Sequence, residues 1–229
     1  MTSLCANDQS TVSFQRKWVY EFLIVGFKEP LSIETLQCWK DMLYTSNLSV
    51  FAEGNTHLNT FFTKLKIENV SEVVEKENNE FFRIFNVFNE KGEILAPPWE
   101  SVYVTKDQTM FGETVFQLRD KLHQFGLRFI NEKEEPEDHI AIQLEFMLFL
   151  LQYTEKAFDE RQKDDFMRGI YNQYWLLSNH LMQWIKPFTK DIYSYSTSDF
   201  YKGIATLLLD FIYEEFEYIK SFKEVLENG

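Results

Sequence analysis

EEPEDHIAIQLEFM, residues Glu134 to Met147, changes character half-way along. Four carboxylates and His139 surround Pro136, and the chain then turns apolar. Proline suits the first position of a helix, where its missing N–H would have no partner. A helix is therefore expected from Pro136, with Ile140, Leu144, Met147, Leu148 and Leu151 as its buried stripe. Acids at its start complement the positive end of the helix dipole by roughly 0.3–1 kcal/mol each. The same acids with His139 are also the one cluster in the chain with candidate site chemistry.

Helical spacing continues on either side. It predicts helices from about Thr11 to Phe27, from a Ser32 cap to Tyr44, from His57 to Lys66, and from a Ser71 cap to Phe88. It resumes near Gly112 with Val115, Leu118, Leu122 and Phe125, and Gly126 stands where a helix C-cap is expected. Two further helices are expected from Glu160 to Met182, interrupted near Pro187, and from Ser198 to about Leu226. Between Asn89 and Tyr103, NEKGEILAPPWESVY holds Gly92 and Pro97-Pro98, so no helix passes through its middle. The reading is all-α: a bundle of about eight to ten helices. It is taken as one domain over 1–229 with candidate lobes 1–130 and 137–229, hinged at the EPEDH segment.

Composition agrees with a folded helical chain. Of 229 residues 45% are hydrophobic and 23 are Phe, against 8 Gly and 5 Pro. The formal net charge is −13, with 23 Lys and Arg dispersed among 36 acids. That balance argues against nucleic acid and anionic membranes, and it favours a basic partner. The most apolar segments fall short of the roughly 20 residues a membrane span needs. MTSLCANDQS has no basic run leading into an apolar one, and only Cys5 and Cys38 are present. A reducing, cytoplasmic location is expected.

Chemistry of the common enzyme classes is missing from the sequence. There is no GxxxxGK loop, no GxGxxG after a strand, no HExxH and no GxSxG. His57, His123, His139 and His180 have no ligand-type residue four positions on, so neither metal nor cofactor is expected. Asp138 beside His139 could form an acid–base pair, but no nucleophile or oxyanion donor accompanies it. LAPPWESVY reads either as a rigid loop plugging the core with Trp99 and Tyr103, or as an aromatic binding surface. The Phe81, Phe82, Ile84, Phe85, Phe88 face before it wraps more than one side of a helix, so part of it is expected to meet solvent.

APPWESVY, then FGETVFQLRDKLHQFGLRF, then EPEDHIAIQLEFM together resemble one family. It is the TorD/DmsD group of redox-enzyme maturation chaperones, related to the NarJ-type assembly proteins. The likeness covers Phe81 to Met147 and extends to Phe211, through His-Leu-x-x-Trp at His180 to Trp184 and an aromatic return at Phe200-Tyr201. The resemblance implies a chaperone without catalytic activity that binds the twin-arginine signal peptide of a molybdopterin oxidoreductase of the DMSO/TMAO reductase type. It would hold the apo enzyme until its cofactor is inserted. The implied signal-peptide site is Phe81, Ile84, Phe85, Pro98, Trp99, Tyr103, Gly112, Glu137, Asp138 and His139. Glu134, Glu135, Glu137 and Asp138 would meet guanidinium groups, and Asp138 and His139 would form a docking edge whose loss spares stability. A monomer is expected, with a domain-swapped dimer as the alternative. The rival functions are NarJ-like assembly of a nitrate reductase and a nucleotide-dependent helical enzyme.

Overall fold

A computed structural model describes residues 2–45, 54–105, 112–128 and 136–228, with the side chains of 2–11, 43–45 and 67 outside the description. The helices are α1 (Thr2–Lys28), α2 (Ile33–Thr45), α3 (Thr56–Lys64), α4 (Val70–Phe85), α5 (Glu100–Val104) and α6 (Glu113–Gln124). They continue as α7 (Ile140–Asp159), α8 (Lys163–Leu176), α9 (Met182–Tyr195) and α10 (Asp199–Asn228). The all-α expectation holds. Of the EPEDH segment expected as a hinge, Glu135 lies outside the described residues and Pro136 to His139 lie within them.

Local chemistry explains several helix ends. Ser32 Oγ accepts from Thr35 N–H at 3.0 Å ahead of α2, and Ser198 Oγ accepts from Phe200 and Tyr201 N–H ahead of α10. Gly126, at φ 71°, closes α6. Its N–H donates to His123 O and that of Leu127 to Leu122 O, which satisfies carbonyls the helix end leaves open.

Helix α7 is the centre of the core. Its Ile140, Leu144, Met147, Leu150 and Leu151 are buried, and the helix packs between α1 and α8. The 30-residue α10 spans about 45 Å and lies against α3, α8 and α9. Gly203 lets α3 settle onto it, because a Cβ there would stand 2.6 Å from Leu58 Cγ. Aromatic rings fill the remaining space: Phe22 meets Trp39 at 4.4 Å between centroids, and Phe61 meets Phe200 at 5.1 Å.

Several expected boundaries move, α1 beginning at Thr2 and not near Thr11. Helix α7 starts at Ile140, not Pro136, because Ile140 N–H donates across to Pro98 O at 2.9 Å instead of joining a helix begun earlier. Helix α4 is entered through a 3-10 turn at Ile67–Asn69, so Ser71 lies inside it. It ends at Phe85, since Phe88 pairs with Ile94 across a turn. Pro187 does not interrupt a helix. It sits within α9, and the irregularity is a π turn at Leu177–Leu181 that joins α8 to α9.

Candidate functional site

Two segments far apart in sequence meet as a short antiparallel bridge between Trp99 and His139. Glu100 N–H donates to Asp138 O at 3.2 Å and Ile140 N–H to Pro98 O at 2.9 Å. The Trp99 and His139 rings meet edge to face at 5.8 Å. The Pro-Pro-Trp and Glu-Asp-His motifs are thus one structural unit.

Beneath the bridge is a buried polar network. Asp138 Oδ2 accepts the Ser101 N–H at 2.8 Å, which satisfies a donor in the first turn of α5. Gln143 Nε2 donates to Glu100 Oε2 at 2.9 Å and to Asp138 O at 3.0 Å. His180 Nδ1, carried by the π turn, lies 2.9 Å from Glu100 Oε2. All four side chains are fully or almost fully buried. Burial pushes the Glu100 carboxyl up, opposed by His180, and pushes Asp138 up, opposed by its bonds with Ser101. His139 is lowered to about 3 by burial, so its ring is neutral near pH 7. Its Nδ1 accepts from Ala141 N–H at 3.1 Å and caps α7.

Asp138 and Glu137 are 0% and 1% exposed. Neither is a free surface acid, contrary to the reading of EPEDH as an open docking edge. Glu137 already holds a guanidinium: Arg119 Nε and Nη2 reach its two oxygens at 2.5 and 2.8 Å. Glu134 and Glu135 lie outside the described residues. Asp138 and His139 support the bridge from within.

The aromatic positions divide as well. Phe81, Ile84 and Phe85 are core, Phe85 packing on Phe27, Phe188 and Tyr201. Pro98 is buried, while Trp99 and Tyr103 are half-buried. Tyr103 stacks on Trp184 at 5.7 Å and donates to Asp191 Oδ2 at 3.1 Å. Gly112 is the N-cap of α6 and sits so close to α5 that a Cβ would lie 3.0 Å from Thr105 Cγ2. The exposed apolar residues nearby are Phe82 (46%), Val87 (54%) and Phe88 (67%). They sit at the end of α4, which is tied to the Pro-Pro-Trp segment by Ala96 N–H to Ile84 O at 2.8 Å. The sequence pattern places Phe82 and Phe88 only within a helix face, and no local pattern joins Glu100, Gln143, Arg119 or His180 to the site. No group of three or more metal-ligating side chains occurs among the described residues.

Residues 44–190 match the family model described as nitrate reductase delta subunit. The chain belongs to the nitrate reductase delta subunit family. Among members it resembles the TorD chaperone protein of Aliivibrio salmonicida, with 25% identity over 90% of this chain and 95% of that one. It also resembles the Tat proofreading chaperone DmsD of Haemophilus influenzae, with 28% identity over 51% of this chain. That second match spans about half of the relative's length, 50%. A crystal structure of a redox enzyme maturation protein from Archaeoglobus fulgidus shares the fold. Its TM-score is 0.50, its identity 16%, and 93% of each chain is covered. Relatives within the nitrate reductase delta subunit family are thus chaperones rather than enzymes, as the sequence led us to expect. Among the described residues no helix is long and apolar enough to cross a membrane.

Proposed function

We propose that this protein is a cytoplasmic chaperone that binds the twin-arginine signal peptide of a molybdopterin oxidoreductase of the DMSO/TMAO reductase type. It holds the apo enzyme for cofactor insertion. The observation that carries this reading is the likeness to a TorD chaperone over nine-tenths of both chains. The NarJ-like alternative is less favoured, because relatives matched over nine-tenths of the chain include several TorD proteins.

The site chemistry supports it. A twin-arginine leader joins a basic stretch to an apolar one. Phe82, Val87 and Phe88 with half-buried Trp99 offer the apolar contact, since aromatics anchor interfaces. Glu137 is arranged for a planar, two-point guanidinium partner and already holds one in Arg119. An arginine of the leader exchanges with Arg119 in kind, while Asp138 and His139 keep the bridge in shape.

Co-purification with tagged protein from the native host tests the reading. A bound molybdoenzyme with a twin-arginine leader supports it. A bound enzyme without such a leader turns it toward the NarJ-like alternative.

A further inference from the structure

Helix α9 uses its two sides differently. At about 100° per residue, Trp184, Phe188 and Asp191 share the side that meets Tyr103. Lys186, Lys190 and Tyr193 lie on the opposite side. There α9 and α10 border an open cleft of about 580 Å³. Pro187, Ala205 and Leu209 contribute apolar surface to its lining, which contains no carboxylate.

The cations of this cleft stand out in a chain of net charge −13. Lys186 and Lys190 are exposed, lie one helical turn apart, and make no ion pair among the described residues. A third cation, Lys202, lies 5.4 Å from the centroid of the Tyr193 ring. The Tyr193 hydroxyl is itself held 3.3 Å from His57 Nε2, and His57 Nδ1 lies 3.0 Å from Asp199 Oδ1. Of the acids nearest in sequence, Asp191 lies on the other side of α9, where it accepts from Tyr103 and also interacts electrostatically with Lys190, and Asp199 is engaged by His57 and Lys64.

We propose that this cleft docks an acidic amphipathic helix of a protein partner. Carboxylates one turn apart on that helix meet Lys186 and Lys190, and its apolar side chains lie on Pro187, Ala205 and Leu209. The charge complementarity selects the occupant. The net charge of −13 disfavours such a segment on the acidic surface at large and also disfavours an anionic membrane. The proposal does not rest on the twin-arginine reading, because the cleft is on the other side of α9 from Tyr103.

The test is fluorescence anisotropy of the full chain with a labelled synthetic helix bearing Leu on one face and Glu pairs four apart. Saturable binding is expected, weakening as salt rises. Lys186→Glu with Lys190→Glu should weaken it at least about tenfold and leave the melting temperature unchanged, since both side chains are exposed. Lys190→Ala alone should weaken it less. An excess of twin-arginine peptide should not compete. The proposal is overturned if the helix does not bind, if a Lys-for-Glu version binds as well, or if the charge-reversed protein keeps wild-type affinity.

Discussion

Asp138 Oδ2 accepts the backbone N–H of Ser101 at 2.8 Å across 37 residues of sequence, and both groups are buried. This bond couples the Pro-Pro-Trp segment to the start of α7. Asp138→Ala would leave a buried donor without a partner, a loss of about 1–3 kcal/mol. At roughly 2–4 °C per kcal/mol for a chain of this size, the fall in melting temperature is easily measured. Asp138→Asn keeps an acceptor and should recover much of it. This reverses the expectation from sequence alone, in which replacing Asp138 and His139 spares stability.

His139 gives a pH signature. Its folded-state pKa, about 3, lies below the ordinary histidine value of 6.5. The unfolded chain therefore takes up the proton first, and stability falls as pH drops from about 6.5 toward 3. The slope from this group is at most about 1.4 kcal/mol per pH unit. Glu80 is lowered to about 2 by its bonds to Arg83, Ser196 and Thr197 against the opposing effect of burial, and loses its contribution only below about 4.5. The raised carboxyls of Glu100 and Asp138 act in the opposite direction. His139→Asn keeps a side chain able to cap α7 but removes the titration. Denaturant melts at pH 6.5 and 5 should show a smaller loss in that variant than in the wild type.

The Arg119–Glu137 pair separates support from recognition. Arg119→Ala leaves Glu137 buried without its cation, at a cost of about 3 kcal/mol. A twin-arginine peptide that supplies the missing guanidinium should then raise the melting temperature more in this variant than in the wild type. Equal shifts would show that the leader's arginines bind elsewhere.

Neighbouring phenylalanines on α4 and just beyond it should behave oppositely. Phe88→Ser removes a side chain that is 67% exposed. It should leave stability nearly unchanged and weaken peptide binding. Phe85→Ala empties a core position that packs on Phe27, Phe188 and Tyr201, and should cost about 3–5 kcal/mol. Paired melting and peptide titrations check both.

What could be read from sequence was local. The Ser32 cap and the Gly126 terminus depend on residues within a turn of each other and stand as expected, while Ser198, expected as the first residue of the last helix, caps it from one position before. The start of α7 was misplaced because Ile140 N–H is claimed by Pro98, 42 positions away, and no local pattern carries that bond. The same holds for His180 and Glu100, brought together across 80 residues by a π turn. Both already stood inside the segments that carry the family resemblance, which is the one signal that could have joined them. Helical spacing grouped Phe81, Phe82, Ile84, Phe85 and Phe88, but it could not tell which would face α9 and which solvent. That division depends on where the 89–96 segment folds back.

What most needs testing is recognition of a twin-arginine leader at the joined Pro-Pro-Trp and Glu-Asp-His unit. Its most direct measurement is calorimetric titration of the full chain with a synthetic leader peptide and with the same peptide carrying Lys-Lys in place of Arg-Arg. The account predicts saturable binding that weakens as salt rises, at least about tenfold weaker for the Lys-Lys peptide because lysine cannot make the planar two-point contact. Equal affinity for the two peptides, or no binding of either, would contradict it.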